Sequence, residues 1–251
     1  MQKVFGRPKS LNDRPFHYCP GCGHGIVHRM VAETIDELGL QERTILISPV
    51  GCSVFAYWYF EVDNVQAAHG RAPAVGTGLK RANPDSVVIS YQGDGDLASS
   101  GMAEIIHAAG RGENFTVVFI NNAIYGMTGG QMAPTTLVGQ SSSTSPYGRD
   151  PHFAGYPMHM CEMLATMKAP RYIERTSLNN VANLTRTKRA IKKAIDLQTK
   201  GEGFTFVEVL SPCPTQWGVN PSESIDWLES NLMPEYPLGV FRDAKTGEAK
   251  Q

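Results

Sequence analysis

Residues 90–131, SYQGDGDLASSGMAEIIHAAGRGENFTVVFINNAIYGMTGGQ, repeat one pattern twice. A β-type run over 86–91 leads into the turn Gly93-Asp94-Gly95, a helical stretch follows, and a second β-type run over 115–120 leads into Asn121-Asn122. Short apolar runs bounded by turn residues read as buried strands. Two neighbouring strands joined by a single helical crossover lie parallel, so their carboxyl ends emerge at the same edge of the sheet. Asp94 and Asn122, 28 positions apart, therefore face one crevice beyond that edge, where open α/β sheets hold their ligands.

A carboxylate and an amide oxygen at one crevice suit Mg²⁺, which takes hard oxygen ligands and leaves several positions to phosphate and water. Asp94 supplies charge, Asn122 a neutral oxygen, and the backbone carbonyl of Ile124 completes the protein's share. Gly93 and Gly95 let the backbone approach a diphosphate without a Cβ in the way. Taken singly, Gly-Asp-Gly and Asn-Asn are ordinary turn residues. Their joint placement at the ends of adjoining strands favours the ligand reading.

The two turns resemble the thiamine diphosphate motif, Gly-Asp-Gly followed by Asn-Asn. With Cys-Pro-Gly-Cys-Gly-His-Gly at 19–25, Gly-Cys-Ser at 51–53, His-Gly-Arg at 69–71 and Tyr-Gly-Met-Thr-Gly-Gly-Gln at 125–131, the chain resembles the β subunit of 2-oxoacid:ferredoxin oxidoreductases, in order from about residue 15 to residue 218. The resemblance implies a thiamine diphosphate-binding (pyrophosphate-domain) fold. It also implies contacts to that cofactor from Val50, Gly51, Cys52, Ser53, Gly95, Asp96, Gly126 and Met127. His69 is implied near the diphosphate or thiazolium as the candidate catalytic group, against the alternative of a histidine bracing a loop. Arg71 pairs with a phosphate or caps a helix, and Glu104 and His107, one turn apart, read as helix surface or packing.

The implied reaction is CoA-dependent oxidative decarboxylation of a 2-oxoacid, 2-oxoglutarate or a branched-chain acid, with electrons leaving singly through Fe–S clusters. Thiamine enzymes also need a glutamate against the aminopyrimidine, and no second α/β half is legible here to supply it. An α subunit carrying the pyrimidine-binding domain is therefore implied, with γ and ferredoxin-like subunits as further partners and ferredoxin as acceptor. The Cys-rich signature of a ferredoxin domain is absent from the sequence.

Five cysteines are present, and the arm 1–18 has no apolar signal region, so a reducing, cytoplasmic setting is expected, with metal or redox chemistry rather than a disulfide framework. The resemblance implies that Cys19, Cys22, Cys52 and Cys213 ligate a [4Fe–4S] cluster. Two readings compete: a zinc site of Cys19, Cys22, His24 and His28, and a thioredoxin-type pair at Cys19 and Cys22. Cys161, between Met160 and Met163, reads as a buried apolar residue. A non-oxidative thiamine-dependent decarboxylase and a zinc-stabilised nucleotide-binding module are the corresponding alternative functions.

The chain has 251 residues, 41% hydrophobic and 19% charged, with a formal net charge of −1, which fits a globular core and no nucleic-acid or membrane partner. Its longest apolar stretch falls far short of the roughly 20 residues that span a bilayer. A single domain over 1–251 is expected, with helices over 25–38, 72–83, 158–167 and 181–199 and strands over 44–50, 172–176 and 204–210 in addition to the central unit. Alternating elements and near-continuous apolar strands predict an α/β fold, a parallel sheet covered by helices on both faces. The Ser-, Thr-, Gly- and Pro-rich 132–157 segment is expected to be a long loop, a site cover or disorder. The C-terminal extension 214–251 is expected to wrap a neighbouring surface.

Overall fold

A computed structural model describes residues 6–244. Strands β1 (Thr44–Ser48), β2 (Asp63–Gln66), β3 (Val87–Gly93), β4 (Thr116–Asn121), β5 (Tyr172–Ser177), β6 (Thr205–Leu210) and β7 (Gly239–Asp243) form one sheet in the order β2-β1-β3-β4-β6-β5-β7. Every pairing is parallel except that of β7 with β5. The α-helices are α1 (His24–Glu37), α2 (Ala72–Ala82), α3 (Met102–Arg111), α4 (Pro151–Ala154), α5 (Met160–Ala165), α6 (Val181–Thr199), α7 (Pro214–Trp217), α8 (Ser224–Trp227) and α9 (Met233–Glu235).

Side-chain alternation sorts the strands' residues onto two cores. Val87, Ile89, Tyr91, Val118, Ile120, Val207 and Val209 pack beneath α1 and α6, whereas Val88, Val117, Phe119, Phe206 and Ile173 pack beneath α2, α3 and α5. Each apolar side chain of this size contributes about 1.5–3 kcal/mol on full burial. Two strands escaped the sequence reading. β2 is a polar edge strand, Asp63-Asn64-Val65-Gln66, and has no apolar run. β7 lies in the extension expected to wrap a neighbour. Its described part, 214–244, packs on its own domain, with Leu228, Leu232 and Tyr236 buried against Ala123, Leu137 and Leu210; residues 245–251 of the expected extension lie outside the described residues.

The 132–157 segment is a fixed loop rather than a disordered one. Arg149, 5% exposed, directs its guanidinium at the backbone carbonyls of Ala133, Pro134, Thr136, Ala154, Gly155 and Tyr156. One side chain thus satisfies carbonyls that no ladder serves. Among the described residues no helix is long and apolar enough to cross a membrane.

The second core turns polar toward the carboxyl edge. Arg175 and Glu208, both 0% exposed, lie side by side on β5 and β6 with Nε 2.9 Å from Oε2, an ion pair outside hydrogen-bond angles. Arg175 also binds both oxygens of Glu162 on α5, at 2.8 and 2.6 Å. Its guanidinium carbon stands 5.2 Å from the Tyr236 ring centre and 4.8 Å from that of Phe241, which fastens the extension to the sheet. Arg175→Met should leave the Glu208 carboxylate buried without its cation and cost about 3–5 kcal/mol. The check is the urea midpoint, and an unchanged midpoint would show that the pair carries no stability.

Candidate functional site

The β3–β4 register sets Gly93 opposite Ile120, so the residues just beyond, Asp94 and Asn122, leave the same edge. Asp94 is buried; its Oδ1 accepts the Gly95 N–H at 2.8 Å and its Oδ2 accepts the Ile124 N–H at 3.2 Å and the Thr135 hydroxyl at 2.7 Å. Burial pushes its carboxyl up to about 6 despite those hydrogen bonds. Asn122 Oδ1 accepts the Ile124 N–H at 3.4 Å, and the Asn122 carbonyl accepts the Trp217 Nε1–H at 2.9 Å. Between them Ala123 takes a left-handed φ of 58°. A buried carboxylate with no side-chain cation to offset it, beside an amide oxygen, is a donor set that suits a hard divalent cation.

One cavity of about 70 Å³ is lined by Val50, Gly51, Cys52, Ser53, His69, Asp94, Gly95, Asp96, Asn122, Ile124, Gly126 and Met127. All the residues singled out in the sequence for a diphosphate cofactor and its cation thus share one space. Their individual settings differ from expectation. Ile124 turns its N–H, not its carbonyl, on Asp94. Asp96 spends both oxygens on the protein: Oδ1 accepts from Gly70 N–H at 2.9 Å and Val50 N–H at 3.3 Å, and Oδ2 from Gln92 Nε2 at 2.6 Å. It therefore braces the loops after β1 and β2 against β3. His69 Nδ1 lies 3.5 Å from Asp96 Oδ1, at an angle that makes no hydrogen bond. Arg71 is taken by an ion pair with Glu104 on α3.

A second cavity, about 240 Å³, adjoins the first and is lined by Cys19, Cys22, Cys52 and Cys213. His24, Cys52, Asn122, Gly126 and Met127 line both. Gly126 keeps the partition thin: a Cβ there would stand 2.9 Å from Cys52 Sγ and 3.6 Å from Cys213 Sγ. Burial, reinforced by neighbouring thiols, pushes Cys22 up to about 11, Cys52 to about 12 and Cys213 higher still. These are thiols that keep their protons at neutral pH unless a metal displaces them.

The zinc set does not share a centre. His24 Nδ1 pairs with the Tyr91 hydroxyl at 2.9 Å and His28 Nε2 with the Tyr18 hydroxyl at 2.7 Å. Burial pulls His24 down to about 4 and His28 well below its ordinary value, so both are neutral members of an aromatic nest. Among the described residues, no three Cys, His, Asp or Glu side chains are grouped to hold a single ion. A tetrahedral zinc needs its ligands about 2.0–2.3 Å from one centre, whereas a cubane sets each thiolate on its own iron. Cys161 is buried on α5 in the second core, its thiol also against the Glu208 carboxylate.

Four contributors were not legible in the sequence: Thr135 on Asp94, Trp217 on Asn122, Gln216 Nε2 donating to the Gly126 carbonyl at 2.9 Å, and Tyr236 donating to the Thr135 carbonyl at 2.7 Å. They reach the site from the long loop and the extension, segments without periodicity.

Residues 50–209 match the family model of the thiamine pyrophosphate enzyme C-terminal TPP-binding domain. The chain is 55% identical to the ketoisovalerate oxidoreductase subunit VorA of Methanothermobacter thermautotrophicus over 96% of its own length and 53% of the relative's. It is 39% identical to the 2-oxoglutarate synthase subunit KorB of Methanocaldococcus jannaschii, over 86% of this chain and 78% of that one. A solved 2-oxoglutarate:ferredoxin oxidoreductase from Magnetococcus marinus, with 2-oxoglutarate, coenzyme A and succinyl-CoA bound, superposes with a TM-score of 0.79 at 26% identity, covering 97% of this chain and 86% of that one. The chain thus spans about half the length of the VorA relatives it matches.

Gly70, whose N–H holds Asp96, sits in a close turn: φ is +78°, and an added methyl would lie 2.3 Å from the Ser100 carbonyl carbon. Gly70→Ala should therefore cost more than the roughly 1–3 kcal/mol of backbone strain alone. Gly129→Ala, at φ +105° with nothing within 4 Å, supplies the strain without the collision. Chemical unfolding of both variants checks this, and equal losses would contradict the close packing at Gly70.

Proposed function

As this chain belongs to the 2-oxoacid:ferredoxin oxidoreductase subunits that carry a thiamine pyrophosphate-binding domain, we propose that it holds Mg²⁺-thiamine diphosphate at one cavity and a [4Fe–4S] cluster at the next. Asp94, Asn122 and Ile124 hold the cation, and Cys19, Cys22, Cys52 and Cys213 hold the cluster. The observation that carries this reading is the shared wall of His24, Cys52, Asn122, Gly126 and Met127 between the two cavities. Bound there, thiamine diphosphate supplies an electron sink for decarboxylation of a 2-oxoacid, and the cluster a one-electron acceptor.

The chain's own residues provide position and a dry wall. Asp94 and Asn122 fix the diphosphate end through the cation. Gly51, at φ +129° with nothing within 4 Å of a would-be Cβ, leaves the floor beside Cys52 open to a ring. Gly126 keeps the two centres apart by no more than a backbone. His69, at the cavity wall, is free to donate to or accept from a ligand, because its Nδ1 has no protein hydrogen bond. The four-thiol cavity favours this oxidative route over non-oxidative decarboxylation, which has no use for it.

Branched-chain 2-oxoacids are the preferred substrate class over 2-oxoglutarate. Neither cavity has a lysine or arginine in its lining to pair with a distal carboxylate, and Met127 stands half exposed at their junction. The VorA relatives, named for ketoisovalerate, are also the more similar. Among the described residues no glutamate lines either cavity, which supports an α partner as the source of the carboxylate at the aminopyrimidine, with coenzyme A as acyl acceptor in the assembled enzyme. Ferredoxin is the proposed acceptor, with γ and ferredoxin-like subunits as further partners.

Asp94 makes the reading testable by pH. Its folded value, about 6, lies above its ordinary 3.8. In the cation-free chain, the stability it contributes is complete below about 3.8 and is lost as pH rises through about 6. A cation needs the ionised form, so Mg²⁺-dependent binding of thiamine diphosphate should weaken roughly tenfold from pH 7 to pH 5. Asp94→Ala should abolish it. Calorimetric titration of the assembled enzyme checks both, and binding by Asp94→Ala at native affinity would sink the assignment.

A further inference from the structure

The turn that presents Asn122 is held by buried groups that reach back into the sheet. Ala123 is the non-glycine residue with left-handed φ among the described residues, a conformation disfavoured for a side chain bearing Cβ. Its N–H is donated to Asn121 Oδ1 at 3.1 Å. The other end of that amide is fixed as well, because Asn121 Nδ2 donates to Glu208 Oε1 at 2.8 Å. Glu208 in turn lies 2.9 Å from Arg175 Nε. Asn121, Glu208 and Arg175 are all 0% exposed, so no water competes for these positions. The turn's product is the Ile124 N–H, aimed at Asp94 Oδ2 at 3.2 Å and Asn122 Oδ1 at 3.4 Å.

We infer that Asn121 is a positioning residue for the cation site: oriented by Glu208 and Arg175, its amide holds Ala123 in the left-handed region and so sets Asn122 opposite Asp94. The inference rests on the Mg²⁺-thiamine diphosphate reading above. It assigns the two halves of Asn121-Asn122 different work, the second facing the ligand and the first facing the core. A neutral amide suits the post because it must donate to a carboxylate and accept from a backbone N–H at once.

An amide that merely stabilised the fold would have no particular relation to residue 123. Glycine at that position adopts the turn without being held, so Ala123→Gly should relieve the need for Asn121. The test uses the assembled enzyme, thiamine diphosphate titrated with Mg²⁺, and unfolding midpoints taken without either. Asn121→Ala should weaken Mg²⁺-dependent binding tenfold or more, and Asn121→Ala with Ala123→Gly should recover most of that loss while the midpoint stays low. Native affinity in Asn121→Ala, or no recovery in the pair, overturns the inference.

Should Asn121→Ala not fold, a swap of donor and acceptor serves instead. Asn121→Asp still accepts from Ala123 but opposes a second carboxylate to Glu208; adding Glu208→Gln restores a donor facing an acceptor at unchanged net charge. At pH 8 the pair should bind within about threefold of the native enzyme and Asn121→Asp alone at least tenfold more weakly. Equal affinities in the single and the pair overturn the inference. A native enzyme that fails to bind thiamine diphosphate with Mg²⁺ overturns the cofactor reading and this inference together, which keeps the two failures apart.

Discussion

The register of β3 against β4 is the constraint on which this site is built. With Gly93 opposite Ile120, the chain leaves the sheet at Asp94 on one side and at Asn122 on the other, and both side chains enter one crevice. A slip of one residue would turn every strand side chain to the opposite core. Val87, Ile89 and Tyr91 would face α2 and α3, while Ser90 and Gln92 would face α1 and α6. The cost of burying those polar groups without their partners forbids the slip. The same apolar alternation that assembles the two cores therefore fixes the distance between two prospective ligands.

Much of this is legible in the amino-acid sequence, for a physical reason. Central parallel strands are apolar on both faces, so 86–91 and 115–120 stand out as runs, and the crossover between them permits one topology. Helix 181–199 coincides with α6 because its apolar residues keep helical spacing and Asn180 caps its start. The edges are harder to read. β2 carries Asp63 and Asn64 because an edge strand is half in water, and β7 lies behind a segment of Pro, Trp and Tyr with no period. The extension was expected to wrap a neighbouring surface because it is punctuated by Pro, Trp and Tyr; its described part packs on this chain's own, with Tyr236 under Arg175 and its hydroxyl on the Thr135 carbonyl.

The site divides the same way. Motif residues converge on the two cavities because each stands immediately after a strand or at a helix start, and a parallel sheet collects those points at one edge. Asp96, expected to touch a ligand, lines the first cavity and also ties three backbone or side-chain donors, a role that depends on distances no spacing rule supplies. Thr135 and Trp217 are fixed by Arg149 and by α7, both long-range effects. The run from the partly exposed Glu162 through buried Arg175 and Glu208 to Asn121 is invisible in the sequence for the same reason, since its members come from a helix and three strands. What the fold adds to the motif is rigidity: a strained Ala123, a loop pinned through Arg149, and a partition one glycine thick.

That partition is where the account is most exposed, because it requires two different centres on either side of Gly126. A crystal of the assembled enzyme grown without oxygen, with Mn²⁺ in place of Mg²⁺ and thiamine diphosphate, can be measured just above the manganese and iron absorption edges. A manganese peak bonded to Asp94 and Asn122 and an iron peak bonded to Cys19, Cys22, Cys52 and Cys213 are the expected result. A manganese peak away from Asp94, or a four-cysteine cavity with zinc and no iron, would contradict it.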